Sequence, residues 1–366
     1  MPFLDLRKQY SSIQPEIFKA ISGVLEEAVF VGGPRVRSFE SEFSEFIGVQ
    51  HCVGVGNGTD ALEIAIEALA LPPGSKIIVP ANSYIASSEA VSRSGHRPVF
   101  ADVRADTFLI DLEGIPKESL KEARALIAVH LFGQMIDPKQ LRWAKEKYGL
   151  TVIEDCAQAH GGRFGNEPAG SVGDISCFSF YPGKTLGAYG DAGMVSTDNA
   201  AIAKRCRMIA NHGRLEKYDH MFEGRNSRLD ALQAAVLSVK LRHLPSWRDR
   251  REQIAQTYSE YLGGLPGVSV PKLVDGSVHA WHLYVIRTEK RDELQEHLRN
   301  AGVETGIHYP SSLPMLEAYR NDCAADETPV ANRLAREILS LPIGEHMNTT
   351  DARYVCEVIG EFFEQK

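Results

Sequence analysis

Short apolar runs alternate with longer stretches of helical spacing over the first two thirds of the chain. His51-Cys52-Val53-Gly54-Val55 reads as a short buried strand, and Thr59 to Leu71, rich in Ala, Leu, Ile and Glu, as the helix that follows. Lys76-Ile77-Ile78-Val79-Pro80 is the next strand, then a helical pattern runs from Ala86 to Ser92, then Pro98-Val99-Phe100-Ala101 is extended. Ala125 to Val129 and Leu150 to Ile153 are two more apolar runs, and between them Pro138 to Tyr148 has helical spacing with Lys and Glu outward. Ile175 to Phe180 and Gly193 to Ser196 are predicted to pair antiparallel and close the sheet. Strands and helices in this alternation predict an α/β domain on a largely parallel sheet. From Ser227 to about Tyr261 the spacing is helical throughout, with a break at Pro245. A strand from Trp281 to Ile286 and a charged helix from Arg291 to Ala301 follow. The pattern divides the chain near residue 245. A large domain of residues 1–245, led by an arm of residues 1–12, precedes a smaller α+β domain of residues 246–366.

Composition narrows the class. With 43% hydrophobic and 24% charged residues, the 366-residue chain has the profile of a soluble globular protein. Forty basic against 48 acidic residues leave a net charge of −8, which argues against a nucleic-acid footprint. No apolar run approaches the roughly 20 residues of a membrane helix. Met1-Pro2-Phe3-Leu4-Asp5-Leu6-Arg7 is charged too early to hold a signal-peptide core, so a cytoplasmic protein is expected. Cysteines at 52, 156, 177, 206, 323 and 356 include no Cys-x-x-Cys pair. They fit scattered semi-buried thiols in a reducing compartment, and no metal site is expected.

Three segments carry chemistry. Gly54-Val55-Gly56-Asn57-Gly58-Thr59 leaves a strand and opens a helix, where glycine-freed N–H groups and the helix N-terminus can cradle an anion. An ordinary strand-to-helix turn would look the same, with Asn57 as its cap. A dinucleotide fingerprint fits poorly, because Thr59 stands where Gly or Ala is wanted and the second strand ends Val79-Pro80-Ala81-Asn82 without an acid. In Val152-Ile153-Glu154-Asp155, Asp155 ends a buried strand, where open α/β sheets keep their ligands; a helix-capping Asp is the alternative. Ser179-Phe180-Tyr181-Pro182-Gly183-Lys184 sets a lysine in a loop of small and rigid residues. Desolvation there would free its amine for a Schiff base with an aldehyde. An acid for a heterocycle nitrogen, together with such a lysine, is the pyridoxal-phosphate arrangement.

The full set of motifs resembles one family. Gly56-Asn57-Gly58-Thr59-Asp60-Ala61-Leu62, Glu154-Asp155-Cys156-Ala157-Gln158-Ala159-His160-Gly161, Ser179 to Lys184 and Gly190-Asp191-Ala192-Gly193 are similar to the nucleotide-sugar aminotransferases of the DegT/DnrJ/EryC1/StrS family. So are Gly224-Arg225-Asn226-Ser227-Arg228-Leu229-Asp230 and Gly306-Ile307-His308-Tyr309-Pro310. The likeness runs from Phe3 to Pro342 and implies a fold-type-I, aspartate-aminotransferase-like enzyme using pyridoxal 5'-phosphate.

The resemblance also implies roles. Lys184 would bind the cofactor covalently and shuttle the proton, Asp155 would pair with the ring nitrogen, and Gln158 would bond the ring's 3-hydroxyl. Gly58, Thr59 and Ser179 would hold the phosphate, and Tyr84 would stack on the ring. Asn226 would reach the phosphate of the neighbouring subunit, so a homodimer with shared sites is expected. His308, Tyr309 and Arg228 would face the substrate. Two departures stand out: Pro314 replaces a second histidine in the presumed substrate wall, and Thr185 follows the lysine where Asn is common.

The expected reaction moves the amino group of glutamate to a nucleotide-linked keto-sugar. Ser179 to Lys184, Leu186 to Asp191 and His243 to Arg251 resemble members that aminate carbon 3, favouring a dTDP-3-keto-6-deoxyhexose. The alternatives are a 4-keto or UDP-linked sugar, or a cofactor-binding regulatory protein without turnover. Lys184 counts against a dehydratase, whose relatives lack the lysine.

Overall fold

The computed structural model describes residues 1–320 and 327–364. Seven strands form the main sheet in the order His51–Val55, Gly193–Thr197, Ile175–Ser179, Thr151–Asp155, Ala123–Val129, Lys76–Pro80 and Arg97–Ala101. Gly193–Thr197 runs antiparallel to both of its neighbours. The other pairings are parallel, with Ile127 opposite Ile153 and Asp155 opposite Cys177. Central strands are apolar on both faces because helices cover both. Val55, Pro80, Val129, Asp155 and Ser179 therefore end on one edge of the sheet, and that edge is where the functional residues gather.

The helix Gly58–Ala68 starts where Asn57 Oδ1 accepts from the Asp60 N–H at 2.8 Å, so Asn57 is the cap its residue type suggested. At the N-terminus the expected arm to residue 12 is shorter. Asp5 caps Lys8 N at 2.9 Å, and a helix spans Leu6–Glu27 with Pro15 inside it. Its Ile13 and Ile17 pack on Val236, Val239 and Trp247.

The helix Ala231–Leu262 continues through Pro245, where a break was expected. The missing N–H removes one rung of the ladder, but burial on both sides holds the axis together. Leu237, Leu241 and Leu244 join the core beneath the large sheet, and Ile254, Tyr258 and Leu262 a second core. Residue 245 thus lies inside a helix, at the point where its core changes. The second core is built on the antiparallel pair Tyr284–Arg287 and Ile338–Leu341, with helices Arg291–Asn300 and Thr349–Glu364. The strand expected from Trp281 begins only at Tyr284, because Trp281 has a φ of 48°.

Cys52, Cys156, Cys177, Cys206 and Cys356 are buried and unpaired, and Cys323 lies outside the described residues. Among the described residues no helix is long and apolar enough to cross a membrane.

Candidate active site

A cavity of about 680 Å³ opens at the carboxyl edge of the sheet. Gly58, Thr59, Tyr84 and Asp155 line it, together with Gln158, Ser179, Lys184 and Tyr309. Eight of the residues singled out in the sequence thus meet in one place.

Asp155 lies buried at the end of its strand. Its Oδ2 accepts from the Ser87 hydroxyl at 2.9 Å and its Oδ1 from the Ala157 N–H at 3.1 Å. Ser83, in the bend before the helix Ala86–Arg93, and Ser87, in its first turn, are joined at 2.8 Å. This chain of hydroxyls fixes the carboxylate's rotation. Tyr84, between them in sequence, is 56% exposed and sits at the mouth, its ring 5.7 Å from that of Tyr309.

At the other end of the cavity the helix Gly58–Ala68 presents its first turn. A Cβ on Gly58 would lie 2.5 Å from Ser179 Cβ, so only glycine lets this turn and the Ser179 strand end approach so closely. Ser227 braces the turn, accepting from Gly56 N at 3.0 Å and donating to Asp60 Oδ2 at 2.6 Å. A helix start with a serine hydroxyl beside it has the donors to hold an anion.

Lys184 projects between these ends from a loop closed by its own N–H on Tyr181 O at 2.8 Å. Burial pulls its ammonium down to about 8, against the opposing pull of Asp155. A second lysine secures the loop. Lys240, fully buried, donates to Gly187 O at 2.7 Å and lies 4.1 Å from the centre of the Tyr189 ring.

Gln158 and Tyr309 form the remaining wall. Gln158 Oε1 accepts from the Phe132 N–H at 2.6 Å, and its Nε2 donates to the Tyr309 hydroxyl at 3.1 Å. Behind them lies a second cavity of about 400 Å³, which shares Lys184, Gln158 and Tyr309 and adds His308 and the N-terminal Phe3 and Leu4. The Phe3 and His308 rings stack at 5.8 Å, and His308 Nδ1 meets Ser340 Oγ at 2.9 Å. Burial, with the Lys184 charge nearby, lowers His308 to about 4, so it is neutral at pH 7.

A carboxylate at one end, donors for an anion at the other, and a lysine of lowered basicity with an amide donor between them fit the chemistry of pyridoxal phosphate. Residues 11–360 match the profile of the DegT/DnrJ/EryC1/StrS aminotransferase family. The chain belongs to this family.

Its relatives include dTDP-3-amino-3,4,6-trideoxy-alpha-D-glucose transaminase of Streptomyces venezuelae, 41% identical over 100% of this chain and 97% of the relative. Another is dTDP-3-amino-3,6-dideoxy-alpha-D-galactopyranose transaminase of Aneurinibacillus thermoaerophilus, 39% identical over 99% of each. The solved structure of S. venezuelae DesV in complex with a ketimine intermediate superposes with a TM-score of 0.95 at 41% identity, covering 99% of this chain and 98% of DesV.

Three expected site residues of this aminotransferase lie away from the first cavity. His308 is in the second one. Asn226 is exposed and bridges Asn211, and Arg228 reaches toward Asn211 Oδ1 at 3.4 Å; neither lines either cavity. Pro314 is buried in the turn Leu313–Met315 and also lines neither, so the lost histidine leaves no gap in these walls. Sequence reasoning passed over Ser87, Ser227, Lys240 and Phe132. No helical spacing marks Ser87, because its partner Ser83 lies in the bend before the helix. Phe132 contributes only its backbone, which no side-chain pattern reports.

Proposed function

We propose that this aminotransferase carries the amino group of glutamate to carbon 3 of a dTDP-linked 3-keto-6-deoxyhexose, with pyridoxal 5'-phosphate held at Lys184. The observation that carries the reading is the shared cavity: Lys184, Asp155 and the Gly58–Ser179 cradle face one another across it. The sugar is argued from the two relatives above, whose names both place the amine on carbon 3 of a dTDP-sugar.

Asp155 would meet the ring nitrogen, Gly58, Thr59 and Ser179 the phosphate, Gln158 the ring hydroxyl, and Tyr84 the ring face. When bound, the cofactor supplies the electron sink that stabilises a carbanion at the reacting carbon. The chain supplies the proton chemistry. Lys184 Nζ, its ammonium lowered to about 8 by burial, would take the proton from the substrate carbon and pass it to the cofactor. A positioned side chain of this kind contributes on the order of 10² to 10⁴ in rate. Asp155, held by two donors, keeps its carboxylate aimed at one point while that proton moves. Neutral His308 and the Tyr309 hydroxyl offer hydrogen bonds rather than charge to the sugar.

The working unit in this reading is a cytoplasmic homodimer. Five buried, unpaired thiols suit a reducing compartment. Asn226 is exposed and does not line its own cavity, which suits a role at a second copy's phosphate site.

The test presents matched 3-keto and 4-keto dTDP-sugars, and a UDP-linked 3-keto sugar, to the amine-loaded protein and compares rates of amine loss. The 3-keto dTDP-sugar is expected to react fastest. Preference for the 4-keto or the UDP compound would overturn the substrate assignment and leave the aminotransferase chemistry standing.

A further inference from the structure

Behind Asp155 lies a buried polar group that the proposed reaction does not use. His130 directly follows the strand Ala123–Val129 and is fully buried. Its Nδ1 accepts from the Ile136 N–H at 3.1 Å, so that nitrogen carries no proton, and Nε2 donates to Glu154 Oε2 at 2.7 Å. Glu154 also accepts from Gly170 N at 3.2 Å, Val172 N at 2.8 Å, Gly173 N at 2.6 Å and the Ser176 hydroxyl at 3.1 Å. With Cys156, these side chains bring three metal-ligating atoms within 4.8 Å. Both imidazole nitrogens and both carboxylate oxygens are already engaged by protein donors and acceptors, and burial pushes the Cys156 thiol up. The grouping is a hydrogen-bonded brace.

What it braces is the turn of residues 130–136. His130 ties both ends of that turn, its ring holding Ile136 and its own N–H donating to Asp155 O at 3.1 Å. Between them Phe132, at a φ of 61°, turns its N–H toward Gln158 Oε1 at 2.6 Å. A backbone N–H can only donate, so the atom it meets must be the amide oxygen. The Gln158 NH₂ is thereby directed to Tyr309 and the cavity.

We infer that His130 is a positioning residue: through the 130–136 turn and the Phe132 N–H, it holds Gln158 as an obligatory hydrogen-bond donor to the cavity. Freed from Phe132, the amide could rotate and present its oxygen instead. A donor facing an oxygen favours the ionised state of that oxygen; an acceptor there opposes it. This inference rests on the cofactor reading above, in which Gln158 faces the ring hydroxyl.

The experiment follows the visible absorbance of the Lys184–cofactor adduct against pH in the parent, His130→Phe, Gln158→Met and the double variant. Loss of the donor should raise the adduct's titration midpoint by about one pH unit in each single variant. Because both act through one amide, the double variant should match Gln158→Met alone. His130→Leu serves as the second variant if His130→Phe does not fold and should move the midpoint equally, whereas His130→Asn, whose side-chain oxygen can still accept from Ile136, should stay closer to the parent. An unmoved midpoint in folded His130→Phe or His130→Leu, or shifts that add in the double, would overturn the inference while the parent's adduct upholds the cofactor reading. A parent with no Lys184 adduct would overturn both.

Discussion

The Ser87 hydroxyl donates to Asp155 Oδ2 at 2.9 Å, and Ser83 completes the chain at 2.8 Å. The helix Ala86–Arg93 thus sets the angle of the carboxylate at the end of the strand Thr151–Asp155. Ser87→Ala should leave folding intact and slow the glutamate half-reaction about tenfold, the worth of one hydrogen bond to a charged group. Stopped-flow absorbance measures it, and an unchanged rate would show that Ala157 N alone positions Asp155.

Asp155→Asn keeps the size and removes the charge. The glutamate half-reaction should fall by at least roughly 10²-fold, as when one preorganised electrostatic partner is lost. A variant within a few-fold of the parent would make Asp155 a structural cap.

Gly58→Ala places a methyl 2.5 Å from Ser179 Cβ. Overpacking of this degree costs on the order of 1–3 kcal/mol, so cofactor affinity should weaken at least about tenfold by fluorescence titration. Unchanged affinity would place the phosphate elsewhere.

Burial lowers the Lys184 ammonium to about 8, so without cofactor its amine is increasingly unprotonated as pH rises through that value. Carbamylation of Lys184 by cyanate, followed by peptide mapping, should rise with a midpoint near pH 8, well below that of exposed lysines. Lys240 is also lowered to about 8 but is engaged by Gly187 O and lines neither cavity, so it should label slowly. A Lys184 midpoint at the ordinary lysine value would show that the loop is open to water.

If two chains share each site, mixing Lys184→Ala with Asn226→Ala protein should restore part of the activity that each has lost, because one site per mixed dimer is intact. A fully active monomer at assay concentration would contradict shared sites.

What the sequence made legible follows from the kind of signal each feature carries. Strands such as Lys76–Pro80 are apolar from Ile77 on because both faces are covered, and Asp155 at such a strand's end is a charge where burial is the rule. Lys184 is marked by the glycine and proline before it. By contrast, the helix Leu6–Glu27 was hidden by Pro15, and the continuity of Ala231–Leu262 by Pro245, since local propensity gives way when two cores grip one axis. The Trp281–Leu283 stretch looks β-forming, yet Trp281 adopts a left-handed backbone and packs its ring on His279 and Tyr284. The contact between Phe132 N–H and Gln158 joins residues 26 apart through a main-chain atom, so it leaves no trace in residue identity.

The most direct test of the central claim follows one nitrogen atom. Protein loaded with pyridoxal phosphate is incubated with amine-labelled glutamate and a dTDP-3-keto-6-deoxyhexose, and the sugar nucleotide is analysed by mass spectrometry. Labelled nitrogen should appear on the sugar with an equal amount of 2-oxoglutarate, and Lys184→Ala should abolish both. A protein that binds the cofactor but transfers no label to any keto-sugar nucleotide would contradict the account.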